Sequence, residues 1–254
     1  MFLEKPIQFN ILDDAVKYIL FQRTQYLFFR HNRGMQWFAR HLPRFIAYPL
    51  ETLFTKFDSI VSIESQLRKK QVLRLFSEEM FSEYKQIEKY LPQDAHSILD
   101  IGSGVGGFNI LLNTHYAPKY PKFYLLDKTE MPSKVYYGLE KKASFYNSLK
   151  IAKEFLNKNG IPKENIFIQE ANEKNTIDFN STFDLIISLV SWGFHYPVET
   201  YLDEVYEKLS PMGILIIDIR KVAGSIELLE KKFGNIKIIY DAVKHSRVVL
   251  QKNK

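Results

Sequence analysis

Residues 1–90 and residues 97–254 follow different hydrophobic patterns. In the first stretch apolar side chains recur every three or four positions. Ala15, Val16, Ile19, Leu20 and Leu27 follow the acids Asp13 and Asp14; farther on come Ile60, Ile63, Leu67, Val72, Leu75, Phe76, Met80 and Ile87, with charged residues mostly between them. That is the helical period, and an acidic pair at the head of the first run suits a cap. The pattern predicts helices over residues 13–27 and 59–90, with Gly34, Pro43 and Pro49 breaking the chain between them.

From Ser97 onward, short apolar runs at 97–101, 122–126, 165–169, 183–189 and 213–219 are separated by longer segments, of which 141–159 and 198–209 read as helical. Alternation of this kind specifies a parallel sheet covered by helices on both faces. The last two runs, 235–241 and 246–252, are joined only by Ala242-Val243-Lys244-His245. So short a link allows antiparallel pairing alone, because a parallel crossover needs a dozen residues or more. The expected organisation is a helical region over residues 1–94, serving as a cap for substrate or as an oligomer surface. It precedes a Rossmann-like α/β domain over 95–254.

Composition narrows the chemistry. Of 254 residues, 46% are apolar and 25% charged, the balance of a soluble globular chain. No apolar run reaches the roughly 20 residues of a membrane span, and the opening residues lack the zones of a signal peptide, so a cytoplasmic location is expected. The absence of cysteine removes disulfides, iron–sulfur clusters and thiolate nucleophiles. The net charge of +6 is mild. Its notable feature is the stretch Lys17, Arg23, Arg30, Arg33, Arg40 and Arg44, which holds no acid and is interleaved with Tyr18, Phe21, Tyr26, Phe28, Phe29, Trp37 and Phe38. Such a stretch clamps an anionic ligand, meets a second subunit, or packs its aromatic rings inward while the arginines reach solvent.

The most informative segment runs from the first strand into a helix: Asp100-Ile101-Gly102-Ser103-Gly104-Val105-Gly106-Gly107. Glycines permit a tight turn and close approach of a ligand to the backbone, and the following helix N-terminus favours negative charge. The second run ends at Asp127, where a carboxylate can accept from two ribose hydroxyls. Gly102, Gly104 and Gly107 also satisfy the dinucleotide fingerprint, so a nicotinamide-dependent dehydrogenase stays open at this point.

Asp100 two residues before the first glycine gives Asp-x-Gly-x-Gly-x-Gly, which resembles motif I of class I S-adenosylmethionine-dependent methyltransferases. The segments Phe183–Ser188 and Leu209-Ser-Pro-Met-Gly-Ile-Leu-Ile-Ile-Asp218 resemble that family's fourth and fifth strand motifs, and the closing hairpin is its usual ending. The resemblance implies S-adenosyl-L-methionine as cofactor. Asp100, Gly102, Ser103, Gly104 and Gly106 would hold its methionine end, Asp127 its ribose, and Ala171 and Asn172 its adenine, with Lys128 and Ser188 as further cofactor-binding residues. Where the family often has Asp-Ala, this chain has Glu170-Ala171-Asn172. The Asn172 amide can donate and accept at an adenine edge, and Glu170 reads equally well as solvated. Residues 128–140, with Tyr136, Tyr137 and Gly138, emerge at the ligand-binding edge and either cover adenine or pack as a loop.

Beyond the fourth strand lies Ser191-Trp192-Gly193-Phe194-His195-Tyr196-Pro197. His195 is the natural general base for a hydroxyl acceptor, or else a residue that only orients substrate. Trp192, Phe194 and Tyr196 suit an apolar wall. Arg220 either holds a substrate anion or forms a surface ion pair. The family's amide and exocyclic-amine methylators carry Asn/Asp-Pro-Pro-Tyr/Phe here, which favours an oxygen acceptor. The chain is also similar to bacterial methyltransferases of surface-polysaccharide synthesis in Asp127-Lys-Thr, Phe145-Tyr-Asn-Ser-Leu and His195-Tyr-Pro. That similarity implies a small sugar-linked or phosphate-bearing acceptor, with Arg30 and Arg33 as candidate anion clamps and a homodimer as one possible assembly. An RNA methyltransferase using the basic N-terminal helices, and a non-catalytic protein that keeps the cofactor fold, stand as alternatives. No histidine pair has ligand spacing, so no metal is expected.

Overall fold

The computed structural model describes residues 2–28, 57–129, 147–221 and 224–252. Strands β1 (Ser97–Ile101), β2 (Lys122–Asp127), β3 (Ile166–Glu170) and β4 (Phe183–Ser188) are followed by β5 (Ser191–Tyr196), β6 (Leu209–Arg220), β7 (Ile236–Asp241) and β8 (His245–Gln251). All but β5 join one sheet in the order β3-β2-β1-β4-β6-β8-β7. Pairing is parallel from β3 through β6, while β8 runs antiparallel to β6 and β7 antiparallel to β8. The expected Rossmann-like sheet and its closing hairpin are therefore present. The strand order reverses between β1 and β4, the place where open α/β sheets bind ligands.

The strands alternate as a pleated sheet buried on both faces requires. Ile98, Phe123, Leu125, Leu185, Ile187 and Ile216 face one apolar layer. Leu99, Ile101, Tyr124, Leu126, Ile186 and Leu215 face the other. The first layer is covered by α1 (Asp13–Gln22), α2 (Phe57–Leu67), α3 (Lys69–Ile87), α4 (Gly107–Tyr116) and α5 (Leu149–Lys158). The second is covered by α6 (Leu202–Lys208) and α7 (Ser225–Phe233). Val16, Ile19, Phe76 and Met80 thus share one continuous core with Leu111, Phe155 and the sheet. The N-terminal helices are built into the α/β layer, and the ring of Phe76 would stand 2.4 Å from a Cβ placed on Gly107.

Several local expectations change. The helix expected over 59–90 is two, broken at Arg68 (φ −118°, ψ 18°), whose guanidinium turns to the Tyr26 carbonyl at 2.9 Å and to Glu64. The first helix stops at Gln22, because Arg23 leaves helical geometry at φ −123°, ψ 66°. Its Asp13 and Asp14 lie in the first turn, where they complement the helix dipole without capping it. The segment after β4, to which the sequence pattern assigns no element, is the strand β5, packed beside β6. No helix among the described residues is long and apolar enough to cross a membrane.

Candidate functional site

Asp100 is the penultimate residue of β1 and Asp127 closes β2, with the glycine turn between them in sequence. Gly102, Gly104 and Gly106 all have positive φ (76°, 55° and 78°), which explains why side-chain-bearing residues are absent there. The Gly102 N–H donates to the Leu126 carbonyl at 2.7 Å, tying the turn to β2. Gly104 N–H and Lys128 N–H donate to the two oxygens of Asp127, each at 2.7 Å. The Asn109 amide of α4 donates to Asp100 Oδ2 at 2.6 Å. The Ser103 hydroxyl is buried in this turn without a hydrogen-bond partner among the described residues.

Both carboxylates are nearly out of contact with solvent, Asp100 at 5% and Asp127 at 8% exposure. Loss of hydration pushes Asp100 up to about 7; the Asn109 bond opposes this and the Asp127 charge adds to it. Burial likewise raises Asp127 to about 6, opposed by the Gly104 and Lys128 N–H groups and by Asn147, with Glu170 raising it further. Asn147 faces Asp127 closely, yet neither of its amide atoms completes a hydrogen bond of ordinary geometry. Two buried acids side by side make the cleft receptive to a cation.

The cleft that opens on these acids joins β1, β2 and β4 to helices from the N-terminal region. Gly102, Ser103, Gly104, Leu126 and Ala171 form one part of it, and Ser191, His195, Tyr196 and Tyr201 another. Gln22, Arg23, Phe76, Met80 and Glu83 form a further wall, of which the sequence pattern singles out Arg23 alone as a candidate ligand contact. Phe76, Met80 and Glu83 are spaced to share one face of α3, a signal that was present but indistinguishable from ordinary core periodicity.

Of the residues expected here, Asp100, Gly102, Ser103, Gly104, Asp127, Ala171, His195 and Tyr196 line the cleft. His195 sits edge-on to Phe194 at 4.9 Å between ring centroids. Tyr196 is buried, which holds its phenol well above the usual range, and burial pushes Tyr201 up to about 12. Lys128 contributes its backbone N–H to Asp127. Gly106 is the turn residue that starts α4, and a Cβ there would collide with Leu156.

Others are occupied elsewhere. Trp192, expected on the substrate wall, has no exposed surface; its indole N–H donates to the Val198 carbonyl at 2.9 Å and its ring meets Tyr201 edge-on. Positive φ at Val190 (54°) and Gly193 (82°) turns the strand so that this ring points into the core. Ser188 is equally buried, donating to the Ile101 carbonyl and accepting from Trp192 N–H, both at 2.9 Å, so it clamps strand ends. Arg220 donates to the Phe194 carbonyl at 3.0 Å and lies over that ring, bracing β5 from outside the cleft. Asn172 closes its own turn, accepting from Lys174 N–H and donating to Thr176 Oγ1, each at 3.0 Å. Glu170 accepts from Thr129 N–H (2.8 Å) and hydroxyl (2.5 Å), anchoring the segment after β2. Arg30, Arg33 and the stretch 130–140 with Tyr136 and Tyr137 lie outside the described residues.

No protein-family model matches the chain, and no curated protein sequence matches it. Solved structures do resemble it. A Thermus thermophilus 16S rRNA N2 G1207 methyltransferase, solved with AdoMet and guanosine, is similar at 12% identity and TM-score 0.47 over 68% of this chain and 43% of that one. A SAM-dependent methyltransferase from Aquifex aeolicus is similar at 17% identity and TM-score 0.47, covering 66% and 88%. A precorrin-6y C5,15-methyltransferase from Geobacter metallireducens gives 16% identity and TM-score 0.48, covering 70% and 88%. This chain spans less than half the length of the Thermus protein.

Proposed function

We propose that this chain, which has the class I methyltransferase fold, binds S-adenosylmethionine and transfers its methyl group to an oxygen of a small acceptor. One observation carries the reading: two buried carboxylates, Asp100 and Asp127, stand at the ends of adjacent strands around a turn of positive-φ glycines. Asp127 is held by two backbone N–H groups, and each of its oxygens keeps further accepting capacity for ribose hydroxyls. The buried Ser103 hydroxyl and the close glycine backbone suit the methionine end, and Ala171 suits the adenine.

S-adenosylmethionine supplies a methyl group already activated on a sulfonium, so the protein's task is alignment, charge and a proton. The acids of the cleft balance the positive charge in a water-poor site. A ring nitrogen of His195 is assigned to take the acceptor's hydroxyl proton as the oxygen attacks. Tyr196, Tyr201, Phe76 and Met80 exclude water around that path. Ser191-Trp192-Gly193-Phe194 in place of Asn/Asp-Pro-Pro-Tyr/Phe supports oxygen over amide or exocyclic-amine acceptors.

For the acceptor we propose a sugar-linked or phosphate-bearing molecule, in the setting of surface-polysaccharide modification, on the resemblance carried by Asp127-Lys-Thr, Phe145-Tyr-Asn-Ser-Leu and His195-Tyr-Pro. Its anion would fall to Arg30 and Arg33, since Arg220 is committed to β5. The RNA alternative depends on the same basic stretch, and the described cleft walls instead present Glu83, Asp100 and Asp127. The test is transfer from radiolabelled S-adenosylmethionine to matched hydroxyl and amine forms of sugars and sugar phosphates. Labelling of hydroxyl forms supports the reading; labelling confined to amines overturns the oxygen assignment.

A further inference from the structure

We infer that Arg23 is a binding residue for the α-carboxylate of the cofactor's amino-acid end, which makes the N-terminal helix part of the cofactor site. The inference rests on the cofactor reading above. Its starting point is the end of α1. Gln22 stands against the glycine turn, its Oε1 2.7 Å from where a Cβ on Gly104 would sit. Arg23, the next residue, lines the same cleft and is the one lysine or arginine among the described lining residues.

The guanidinium is aimed by a fixed carboxylate. Arg23 Nε donates to Glu79 Oε1 at 2.7 Å, and Glu79 is itself held by the Tyr26 hydroxyl and by Gln25 Nε2 at 3.3 Å. Arg23 is about a quarter exposed and Glu79 somewhat more, and of the two it is Arg23 that lines the cleft. Glu79 engages the Nε edge, and among the described residues this is the side-chain hydrogen bond Arg23 makes. The paired Nη edge is left to face a second planar anion, the geometry that binds a carboxylate by two parallel bonds.

The ligand's chemistry supplies the match. Gly104, Ser103, Asp100, Gln22 and Arg23 line the same cleft as Asp127, so with ribose at Asp127 an amino-acid tail laid over the glycine turn would lie within reach of these residues. That tail is a zwitterion. Asp100 suits its ammonium group, and a carboxylate placed among Asp100, Asp127 and Glu83 needs a cation. The first turn of α4 reaches the cleft at Gly107 and Phe108 and adds only its partial positive charge, with no side-chain cation of its own. Arg23 meets that need.

The experiment compares S-adenosylhomocysteine with 5′-methylthioadenosine, which keeps the adenosine and thioether but has no amino-acid carboxylate. Calorimetry on wild type, Arg23→Ala and Arg23→Gln should show S-adenosylhomocysteine weakened at least tenfold by both substitutions. 5′-Methylthioadenosine should stay within about twofold, which also reports an intact fold. Equal weakening of both ligands, or no weakening of S-adenosylhomocysteine, overturns the assignment of Arg23 while leaving the cofactor site standing. Failure of wild type to bind either ligand overturns the cofactor reading and this inference with it.

Discussion

Asp218 and Arg247 form a buried, bidentate ion pair across β6 and β8, with Nε–Oδ1 at 2.7 Å and Nη2–Oδ2 at 2.8 Å. Asp218 Oδ2 also accepts from Val190 N–H at 3.0 Å, at the turn that launches β5 and its His195. Arg247 reaches across to Glu83 and Gln86 of α3, so one pair fixes two walls of the cleft.

Removing one partner should therefore be costly. Asp218→Ala leaves the buried Arg247 guanidinium with Glu83 and Gln86 alone and is expected to lower unfolding free energy by about 3 kcal/mol, the lower end of the range for breaking a buried pair. Replacing both residues together by apolar ones of similar volume should restore much of that. Urea denaturation of the three variants checks it; a double variant no better than the single would show that the pair does more than satisfy its own charges.

Acidity in the cleft sets a pH dependence. Asp100 and Asp127 are raised from 3.8 to about 7 and about 6 because burial disfavours their charged forms. Their folded-state preference for the proton stabilises the ligand-free protein fully below pH 4, and that contribution is lost as pH rises through 6 to 7. Burial lowers His115 to about 4, which acts in the opposite sense between its folded and ordinary values. The ligand-linked readout isolates the two acids. S-adenosylmethionine, a cation at its sulfur, should bind more tightly at pH 8 than at pH 5.5, and Asp100→Asn should flatten the difference. Calorimetry at the two pH values decides it; affinity independent of pH would sink the account of these acids.

Two glycines separate backbone strain from packing. Gly160 has φ 93° with nothing within 4 Å of an added Cβ, so Gly160→Ala should cost only about 1–2 kcal/mol for its left-handed backbone. Gly102 has φ 76°, and its Cβ would fall 1.7 Å from Ser191 Oγ. Gly102→Ala should displace β5 and abolish S-adenosylhomocysteine binding, while Gly160→Ala leaves binding unchanged. Thermal shift with and without the ligand distinguishes them.

For His195, replacement by alanine should leave S-adenosylhomocysteine affinity within a few-fold and reduce turnover about 100-fold or more, the scale of a general base. Turnover retained within a few-fold would limit His195 to orienting the acceptor.

The sheet was legible because each parallel strand is a short apolar run bounded by turns, and because Gly102, Gly104 and Asp127 must stand where backbone and ligand come close. The acceptor wall was less so. Trp192 reads as part of an apolar substrate wall, whereas the structure buries it in the core just after the non-glycine positive φ of Val190, whose N–H is held by Asp218. No residue type at position 190 announces that conformation. Phe76, Met80 and Glu83 carry a helical period that fits any core, and only the packing of α3 on Gly107 brings that face to the cleft. Arg220 and Asn172 have chemistry suited to ligands, but nearer partners, the Phe194 carbonyl and the Thr176 hydroxyl, take it up.

The most direct test of the central claim is calorimetric titration of S-adenosylhomocysteine and NAD into wild type and Asp127→Ala. The account predicts saturable binding of S-adenosylhomocysteine to wild type and little for NAD. In Asp127→Ala the affinity should fall by about 1.5–3 kcal/mol, the range for hydrogen bonds to a charged group. Tight NAD binding with no S-adenosylhomocysteine binding would contradict it.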